Sequence, residues 1–550
     1  MNKYTNKIKI FALGGLNEIG KNMYVVEVDN EIYVFEAGLK YADDKMLGVD
    51  YIIPKYDYLI NNKNKVKGIF LSHGHDEQIG AIPDILHDLP NIKIYGTKFT
   101  LEMLKEELES ENLKANLIEL QPHKKVRIGK NFIFPISLSH NVPDSVGYVL
   151  YTNQGAIFYT GNFVFDPSMQ GAYKTDIGKL AYVGKQGVLC LLSESQYADK
   201  QGYTSPNHRT YGYLRELINQ HDGRILINIY QGQIFRIQEL FNAIMETDRK
   251  VVIMGKRLEK TVLKSIENGY IDFDKARLGN IHHLDNNTII IVSDEREKPY
   301  SNMKRIVKGY DKFISLKEDD TIVFASAVYD GMEKTATILF DDIAKRGCNL
   351  ITMSGKKFPS LHASSEDLML MLDLMQPKYY FPVCGEYRHQ VANSEVAKQI
   401  GMKEENIILN LNGNVATFVN GKLVDESEFV KADDILIDGK TVGDIGELVI
   451  KDREMLGENG IVLVVAIIDK QTKEILSGPE IVTKGFVYVK DNIDLIKEAQ
   501  SMACEILKNN TKQSYIDYSK VKNEIRDQIG KYFYQETECK PIILIMMQEV

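Results

Sequence analysis

The chain has 550 residues, a formal net charge of −9 and a hydrophobic content of 44%. This length exceeds what one hydrophobic core supports, so we expect about two to four domains. The net negative charge argues against a basic surface over the whole protein. Nucleic-acid binding therefore remains possible only through local groups of basic residues. The sequence has no run of about 18 apolar residues, so we predict no membrane-spanning helix.

The cysteines and the first residues of the sequence predict a cytoplasmic protein. Five cysteines are scattered along the chain without any Cys-x-x-Cys pair. An odd and dispersed set is typical of reduced thiols rather than of a disulfide framework. The first residues also lack the apolar core of a signal peptide.

The first predicted elements are short strands, followed by a loop with two histidines. Strands are expected at residues 8–11, 24–28 and 31–35, and a further apolar strand at residues 66–71. The segment His73-Gly74-His75-Asp76-Glu77-Gln78 comes next, and apolar residues then recur at helical spacing. The histidines therefore lie at the end of a strand, where α/β sheets place ligands. Two imidazoles on such a turn suit zinc, iron or nickel, although a solvated loop would give the same short pattern.

Other predicted strands also end at a residue that can bind a metal or a polar ligand. A strand through Phe132–Pro135 leads to His140, a predicted hairpin leads to Asn162, and an apolar strand near residue 380 leads to Cys384. This recurrence favours one shared site over separate loops. The many strands between helices favour a sheet-rich sandwich that is covered by helices.

From about residue 206 the pattern changes to helices that alternate with short apolar strands. Such alternation predicts a separate parallel-sheet domain, inserted into the first one. The last hundred residues alternate strands, at 461–468 and 485–489, with helices near 491–507 and 518–534, and they form a small α/β domain.

Motifs along essentially the whole chain resemble those of the ribonuclease J family. They include Gly14-Gly15…Glu18-Ile19-Gly20-Lys21-Asn22, Ser139-His140…Pro143-Asp144-Ser145, Pro382-Val383…Gly385-Glu386-Tyr387-Arg388 and Ser477-Gly478-Pro479-Glu480-Ile481. The resemblance implies an α/β protein: a metallo-β-lactamase αββα sandwich with an inserted β-CASP α/β domain and a small C-terminal α/β domain. We assign residues 1–205 and 346–425 to the sandwich, 206–345 to the inserted domain, 426–450 to a linker and 451–550 to the C-terminal oligomerisation domain.

The resemblance also implies a metal-dependent ribonuclease site, which this chain has partly lost. Family members degrade RNA from the 5′ end and cut it internally with two metal ions, usually zinc or manganese. The residues that match the first metal site are His73, His75 and His140. Degenerate residues match the rest of the centre: Glu77, Gln78 and Cys384 at the second metal, and Asn162 at the bridging carboxylate. We therefore expect at most one zinc or manganese, held weakly, and we assign no residue as catalytic.

The segments that bind the 5′ phosphate in the family are also altered. A Ser-Asn-x-His-Arg segment is matched by residues 232–236, in which only Arg236 is retained. A His-x-Ser-Gly-His segment is matched by Phe358-Pro359-Ser360-Leu361-His362. These five residues and Arg236 are the predicted RNA-binding positions.

The sequence thus predicts a ribonuclease J-type subunit in mRNA decay and rRNA processing, with weak or no activity of its own. It would associate with an active ribonuclease J paralogue as a homo- or hetero-oligomer, bind RNA and have no membrane contact. The alternative is an active exo- and endoribonuclease with a metal site rebuilt from Glu77 and Cys384. A scaffold that does not touch RNA is a third hypothesis.

Overall fold

The computed structural model describes residues 7–43, 46–294, 300–328, 332–425, 427–439, 441–442, 447–487, 492–511 and 516–550. The backbone divides into two compact units. The first comprises Met1–Asp43 and Val49–Val442, and the second comprises Asp44–Gly48 and Gly443–Val550.

The first unit contains the following strands and helices. The strands are β1 (Lys7–Gly14), β2 (Met23–Val28), β3 (Glu31–Phe35), β4 (Lys40–Tyr41), β5 (Tyr51–Pro54), β6 (Val66–Phe70), β7 (Lys93–Gly96), β8 (Asn116–Glu119), β9 (Val126–Ile128), β10 (Asn131–Ser137), β11 (Val146–Thr152), β12 (Gly155–Tyr159), β13 (Val188–Glu194), β14 (Ile225–Asn228), β15 (Lys250–Met254), β16 (Thr288–Val292), β17 (Thr321–Phe324), β18 (Asn349–Thr352), β19 (Tyr379–Val383), β20 (Ala416–Val419), β21 (Lys422–Val424), β22 (Asp434–Asp438) and β23 (Thr441–Val442). The helices are α1 (Asp57–Asn61), α2 (Asp76–Ile79), α3 (Ile82–Asp88), α4 (Lys98–Ser110), α5 (Ile177–Gln186), α6 (Tyr211–Gln220), α7 (Ile234–Met245), α8 (Lys256–Glu267), α9 (Ser301–Val307), α10 (Glu333–Lys345), α11 (Ser365–Met375) and α12 (Tyr387–Gln399).

Two mixed sheets form the sandwich. One has the order β21-β20-β1-β2-β3-β6-β7-β8 and the other the order β19-β13-β12-β11-β10-β9. Their facing side chains form one core, in which Phe35 and Phe70 of the first sheet meet Tyr148 and Tyr159 of the second. Helices α2 to α4 cover the outer face of the first sheet, and α5, α11 and α12 cover that of the second. This arrangement is the predicted αββα sandwich.

The inserted domain contains a wholly parallel sheet of order β15-β16-β14-β17-β18. The three middle strands, β16, β14 and β17, are buried and mainly apolar because helices cover both faces of the sheet: α6 to α8 on one side, α9 and α10 on the other. Strand β18 lies after residue 345, where the sequence interpretation ended this domain. The partly exposed side chains of β18 give it only a weak strand pattern.

Part of the predicted linker 426–450 has regular structure. Strand β22 pairs with β5 in a small sheet of order β23-β22-β5-β4. Residues 426, 440 and 443–446 of this segment lie outside the described residues.

The second unit has a three-stranded sheet with two long helices on one face. Its elements are α13 (Glu447–Asn459), β24 (Ile461–Ile468), β25 (Ile475–Lys484), α14 (Ile493–Thr511), α15 (Tyr518–Thr537) and β26 (Ile542–Glu549). The prediction of a strand at 485–489 is wrong for residues 485–487, and the rest of that range is not described. Strand β25 instead includes Ser477-Gly478-Pro479, a sequence that is typical of a turn. Proline is tolerated there because β25 lies at the edge of the sheet, where a backbone N–H is not needed for pairing on the outer side.

Among the described residues, no helix combines the length and the apolarity that crossing a membrane requires.

Candidate metal centre

The predicted ligand positions meet at one edge of the sandwich because several strands end there. His73 follows β6, His140 follows β10 and Asn162 follows β12. Glu194 is the last residue of β13, and Cys384 directly follows β19. The structure therefore brings together side chains that are up to about three hundred residues apart in the sequence.

Three histidines form the centre of this site. Nε2 of His73 lies 3.2 Å from Nδ1 of His75, and Nε2 of His140 lies 3.3 Å from the same atom. Among the described residues, this trio is the one group of at least three His, Cys, Asp or Glu side chains close enough to hold a metal ion. Neither Glu77 nor Cys384 belongs to it.

The outward nitrogen of each ring has its own hydrogen-bond partner. Nδ1 of His73 lies 2.8 Å from Oγ of Ser72. Nε2 of His75 and Nδ1 of His140 lie 3.0 and 2.8 Å from the backbone oxygens of Gly232 and Leu361. Because a carbonyl oxygen only accepts, these two nitrogens carry the ring protons, and the lone pairs of the neutral rings point inward.

Burial keeps these rings neutral. It lowers the pKa of His73 and of His140 well below the ordinary value, and the neighbouring histidines add to this effect. Burial also lowers the pKa of His75 to about 4, although the hydrogen bond to Gly232 opposes the shift. Neutral imidazole is the form that binds a metal.

Two of the three nitrogen–nitrogen separations in the trio fit a tetrahedral zinc ion. With Zn–N bonds of about 2.0–2.1 Å, neighbouring ligand nitrogens around zinc lie about 3.3–3.4 Å apart. The observed separations of 3.2 and 3.3 Å match this spacing. His73, His75 and His140 are therefore able to hold one metal, and the fold family implies such a metal.

Hydrogen bonds between amides and a carboxylate occupy the position that the family resemblance assigns to the second metal. Nε2 of Gln78 donates to Oδ1 of Asn162 over 3.0 Å. Nδ2 of Asn162 donates to Oε2 of Glu194 over 2.7 Å and approaches Sγ of Cys384 at 3.6 Å. The oxygen that would bridge two metals is thus neutral and already accepts a hydrogen bond.

Cys384 is poorly prepared to replace a histidine ligand. Its side chain is buried, and burial together with the nearby charge of Glu194 raises the pKa of the thiol well above its usual value. Only the thiolate binds metals strongly. Glu77 is half-buried, and it also stays outside the cluster.

Sequence reasoning missed Glu194, the main acceptor in this network. Its carboxylate accepts from the backbone N–H of Phe163 at 2.7 Å and of Ala363 at 3.2 Å, in addition to the amide of Asn162. Nδ1 of His362 lies 2.7 Å from the same carboxylate. The sequence did contain a signal for Glu194, because this residue ends an apolar strand, and the predicted ligands also lie at the ends of strands.

The predicted phosphate-binding residues are mostly buried. Arg236 donates to the backbone oxygens of Ala325 at 2.7 Å and of Pro359 at 3.4 Å. Burial lowers the pKa of Arg236 to about 10. Leu361 and Phe235 pack together in a small buried apolar cluster. Leu361 stands at the position of the glycine of one family segment, and Phe235 at that of the histidine of the other.

The other residues of this segment differ in their surroundings. Phe358 is buried and packs against Tyr213, with ring centroids 5.0 Å apart. The backbone N–H of Ser360 donates to the hydroxyl of Tyr197 at 3.4 Å. His362 keeps 15% of its side chain exposed and lies closest to the metal centre, with its ring centroid 5.7 Å from that of His140.

A buried carboxylate beneath the site predicts a pH-dependent stability. Both oxygens of Glu36 accept from the backbone N–H of Ser72, and burial raises the pKa of Glu36 from 4.5 to about 8. Between these values the folded chain retains a proton on Glu36 that the unfolded chain releases, so the contribution of Glu36 to stability falls as pH rises, by up to about 1.4 kcal/mol per pH unit. The buried histidines contribute a slope of opposite sign below about pH 6.5, so Glu36→Gln is expected to remove the decline between about pH 6.5 and 8, in urea unfolding measured with a chelator present. Equal slopes for the wild type and the variant would contradict the prediction, and Glu405→Gln, at an exposed residue, is the control.

Profiles of three known domains match the chain. The profile described as "Beta-lactamase superfamily domain" matches residues 56–177, "Ribonuclease J, beta-CASP domain" matches 222–343, and "Ribonuclease J C-terminal domain" matches 448–550. Together with the sandwich and the histidine centre, they define a metallo-β-lactamase-fold protein with a β-CASP insertion.

Similar proteins match over the full length. Ribonuclease J2 of Bacillus subtilis (strain 168) is 37% identical, covering 100% of both chains. Ribonuclease J 2 of Staphylococcus aureus (strain NCTC 8325 / PS 47) is 34% identical, covering 100% of this chain and 99% of the relative. A protein of unknown function from Enterococcus faecalis V583, 15% identical with a TM-score of 0.53, covers 75% of this chain and 100% of its own, and supports the fold alone. The chain belongs to the ribonuclease J family, and along its whole length it resembles the second paralogue.

Proposed function

We propose that this chain is a ribonuclease J subunit in mRNA decay and rRNA processing, with weak or no hydrolytic activity of its own. It acts in the cytoplasm with an active ribonuclease J paralogue. The observation that carries the proposal is the hydrogen-bonded state of Asn162, which accepts from Gln78 and donates to Glu194.

The chemistry of two-metal hydrolysis explains why this observation matters. Two dications about 3.5–4 Å apart activate the attacking water and stabilise the leaving oxygen, and the anionic ligands around them reduce their repulsion. An asparagine supplies no charge, and its amide is already committed to neighbours. One zinc or manganese at His73, His75 and His140 would supply Lewis-acid chemistry at the first position only.

The remaining residues of the site support a weak contact with RNA. Arg236 is 2% exposed, and two of its guanidinium nitrogens donate to backbone carbonyls, so a phosphate has little access to this side chain. Phe235 and Leu361 fill the adjoining space with apolar groups. Beside Asn162, Nδ1 of His362 lies 2.7 Å from Oε2 of Glu194.

The C-terminal unit offers a surface for an oligomer. Helices α14 and α15 cover one face of its sheet, whereas Leu544 and Met546 are 46% and 59% exposed on β26. Exposed apolar side chains on a sheet face are typical of protein–protein interfaces. We propose that this face contributes to homo- or hetero-oligomer formation.

Hydrolysis of a 5′-monophosphorylated single-stranded RNA tests the proposal. The purified wild type, with Zn²⁺ or Mn²⁺ present, is expected to degrade this RNA no faster than His73→Ala/His75→Ala purified identically. Co-purification of the wild type with an active ribonuclease J paralogue and crosslinking to RNA in the cell are also expected. Loss of crosslinking would favour the scaffold hypothesis.

Degradation by the wild type alone would instead support the rebuilt metal site. In that case Cys384→Ala would abolish the activity, because the thiol would have to act as a metal ligand. The raised pKa of Cys384 argues against this outcome.

A further inference from the structure

A loop of the inserted domain reaches the metal centre. Residues 229–233 connect β14 to α7, and the backbone oxygen of Gly232 accepts from Nε2 of His75 at 3.0 Å. The ring of Tyr230 lies 6.2 Å from that of His75. The inserted domain thus contacts a candidate metal ligand directly, through its backbone.

This contact depends on the absence of a side chain at position 232. A Cβ atom there would lie 2.8 Å from Cδ2 and 2.9 Å from Nε2 of His75, and 2.8 Å from Cε1 of Tyr230. These separations are shorter than carbon atoms tolerate in packed proteins. With the loop backbone in its present position, a side chain at residue 232 would therefore push the loop away from His75 or turn the imidazole ring.

Further hydrogen bonds hold the loop in place on both sides. The backbone N–H of Tyr230 donates to Oγ of Ser326, and that hydroxyl donates to Oε1 of Gln233, each over 3.0 Å. Just after the loop, the backbone N–H of Phe235 donates to the backbone oxygen of Asn141 at 2.8 Å, next to His140. The position of Gly232 is therefore fixed relative to both the inserted sheet and the histidine trio.

We infer that Gly232 is a positioning residue that couples docking of the inserted domain to metal loading of the histidine trio. The inference rests on the proposal that the trio holds a metal. The carbonyl of Gly232 selects the His75 form with the proton on Nε2, which leaves Nδ1 free to bind the metal. By linkage, a bound metal favours the docked loop as much as the docked loop favours the metal.

The first test asks whether the docked loop strengthens metal binding. It measures the affinity of the full-length chain for Zn²⁺ by competition with a chromogenic chelator. Gly232→Ala is expected to weaken Zn²⁺ binding about 10- to 100-fold, the usual cost of losing a hydrogen bond to a metal-binding histidine. It is also expected to alter the visible absorption bands of the Co²⁺-loaded chain, which a merely structural role would leave unchanged. Gly212→Ala, on α6 of the same domain with nothing within 4 Å of the added methyl group, is the matched control.

The second test asks whether a bound metal favours the docked loop, and it uses amide hydrogen exchange of the wild type without any variant. Adding Zn²⁺ is expected to slow exchange of the Phe235 amide, because the loaded centre favours the docked loop. Exchange of residues in α15, which belongs to the other unit, is expected to stay the same.

The outcomes separate this inference from the proposed function. Equal Zn²⁺ affinity of the wild type and Gly232→Ala, an unchanged Phe235 exchange rate, or a wild type without Zn²⁺ affinity would each overturn the coupling. Hydrolysis of RNA by the wild type alone would overturn the proposed function and leave the coupling in place.

Discussion

Replacing four residues, Glu77→Asp, Gln78→His, Asn162→Asp and Cys384→His, is expected to give the chain a second metal ion and a ribonuclease activity at least about 100-fold above that of the wild type. Each replacement restores a residue type that the family resemblance places at that position. A metal that stabilises transition-state charge contributes several kcal/mol, and each 1.36 kcal/mol corresponds to about tenfold in rate. The measurements are metal content by elemental analysis and hydrolysis of 5′-monophosphorylated RNA.

Asn162→Asp is the decisive member of this set. The introduced carboxylate would face Glu194, whose Oε2 lies 2.7 Å from the present amide nitrogen, so the two charges would repel unless a cation lies between them. Asn162→Asp alone is therefore expected to destabilise the metal-free chain. The fourfold variant that also carries His73→Ala is the control for contaminating nuclease. One bound metal and no increase in hydrolysis would contradict the prediction.

Glu194→Ala is expected to reduce the free energy of unfolding by at least about 3 kcal/mol, because each buried donor that loses its acceptor costs about 1–3 kcal/mol. The side chain is 1% exposed. Its loss leaves the amide of Asn162 and the backbone N–H groups of Phe163 and Ala363 without their acceptor. Urea unfolding of the metal-free chain measures the effect.

An exposed glutamate provides the comparison for Glu194. Glu405 pairs with Lys403 over 3.8 Å, and its side chain is 74% exposed. Glu405→Ala is therefore expected to change the free energy of unfolding by less than about 1 kcal/mol. Similar losses for Glu405→Ala and Glu194→Ala would show that the network around Asn162 does not stabilise the fold.

The sequence by itself determined much of the sandwich and the set of residues that surround the site. Alternating and continuous apolar runs predict β1 to β3 and β6, because the side-chain pattern of a strand can be recognised within a few consecutive residues. Ligand-type residues after those strands predict that His73, His75, His140, Asn162 and Cys384 lie at one edge of the sheets. The family resemblance also predicts from residue types that the second metal position lacks its two imidazole ligands and the bridging carboxylate.

Only the tertiary structure decided how these residues are paired. The acceptors of His75 and His140 are backbone oxygens 157 and 221 residues away in the sequence, and a backbone oxygen carries no residue-type signal. The role of Glu194 likewise depends on the approach of Asn162, Phe163 and Ala363 from other elements. Side-chain periodicity describes which face is buried, whereas the partners of a buried polar group depend on contacts between distant segments, which only the folded chain brings together.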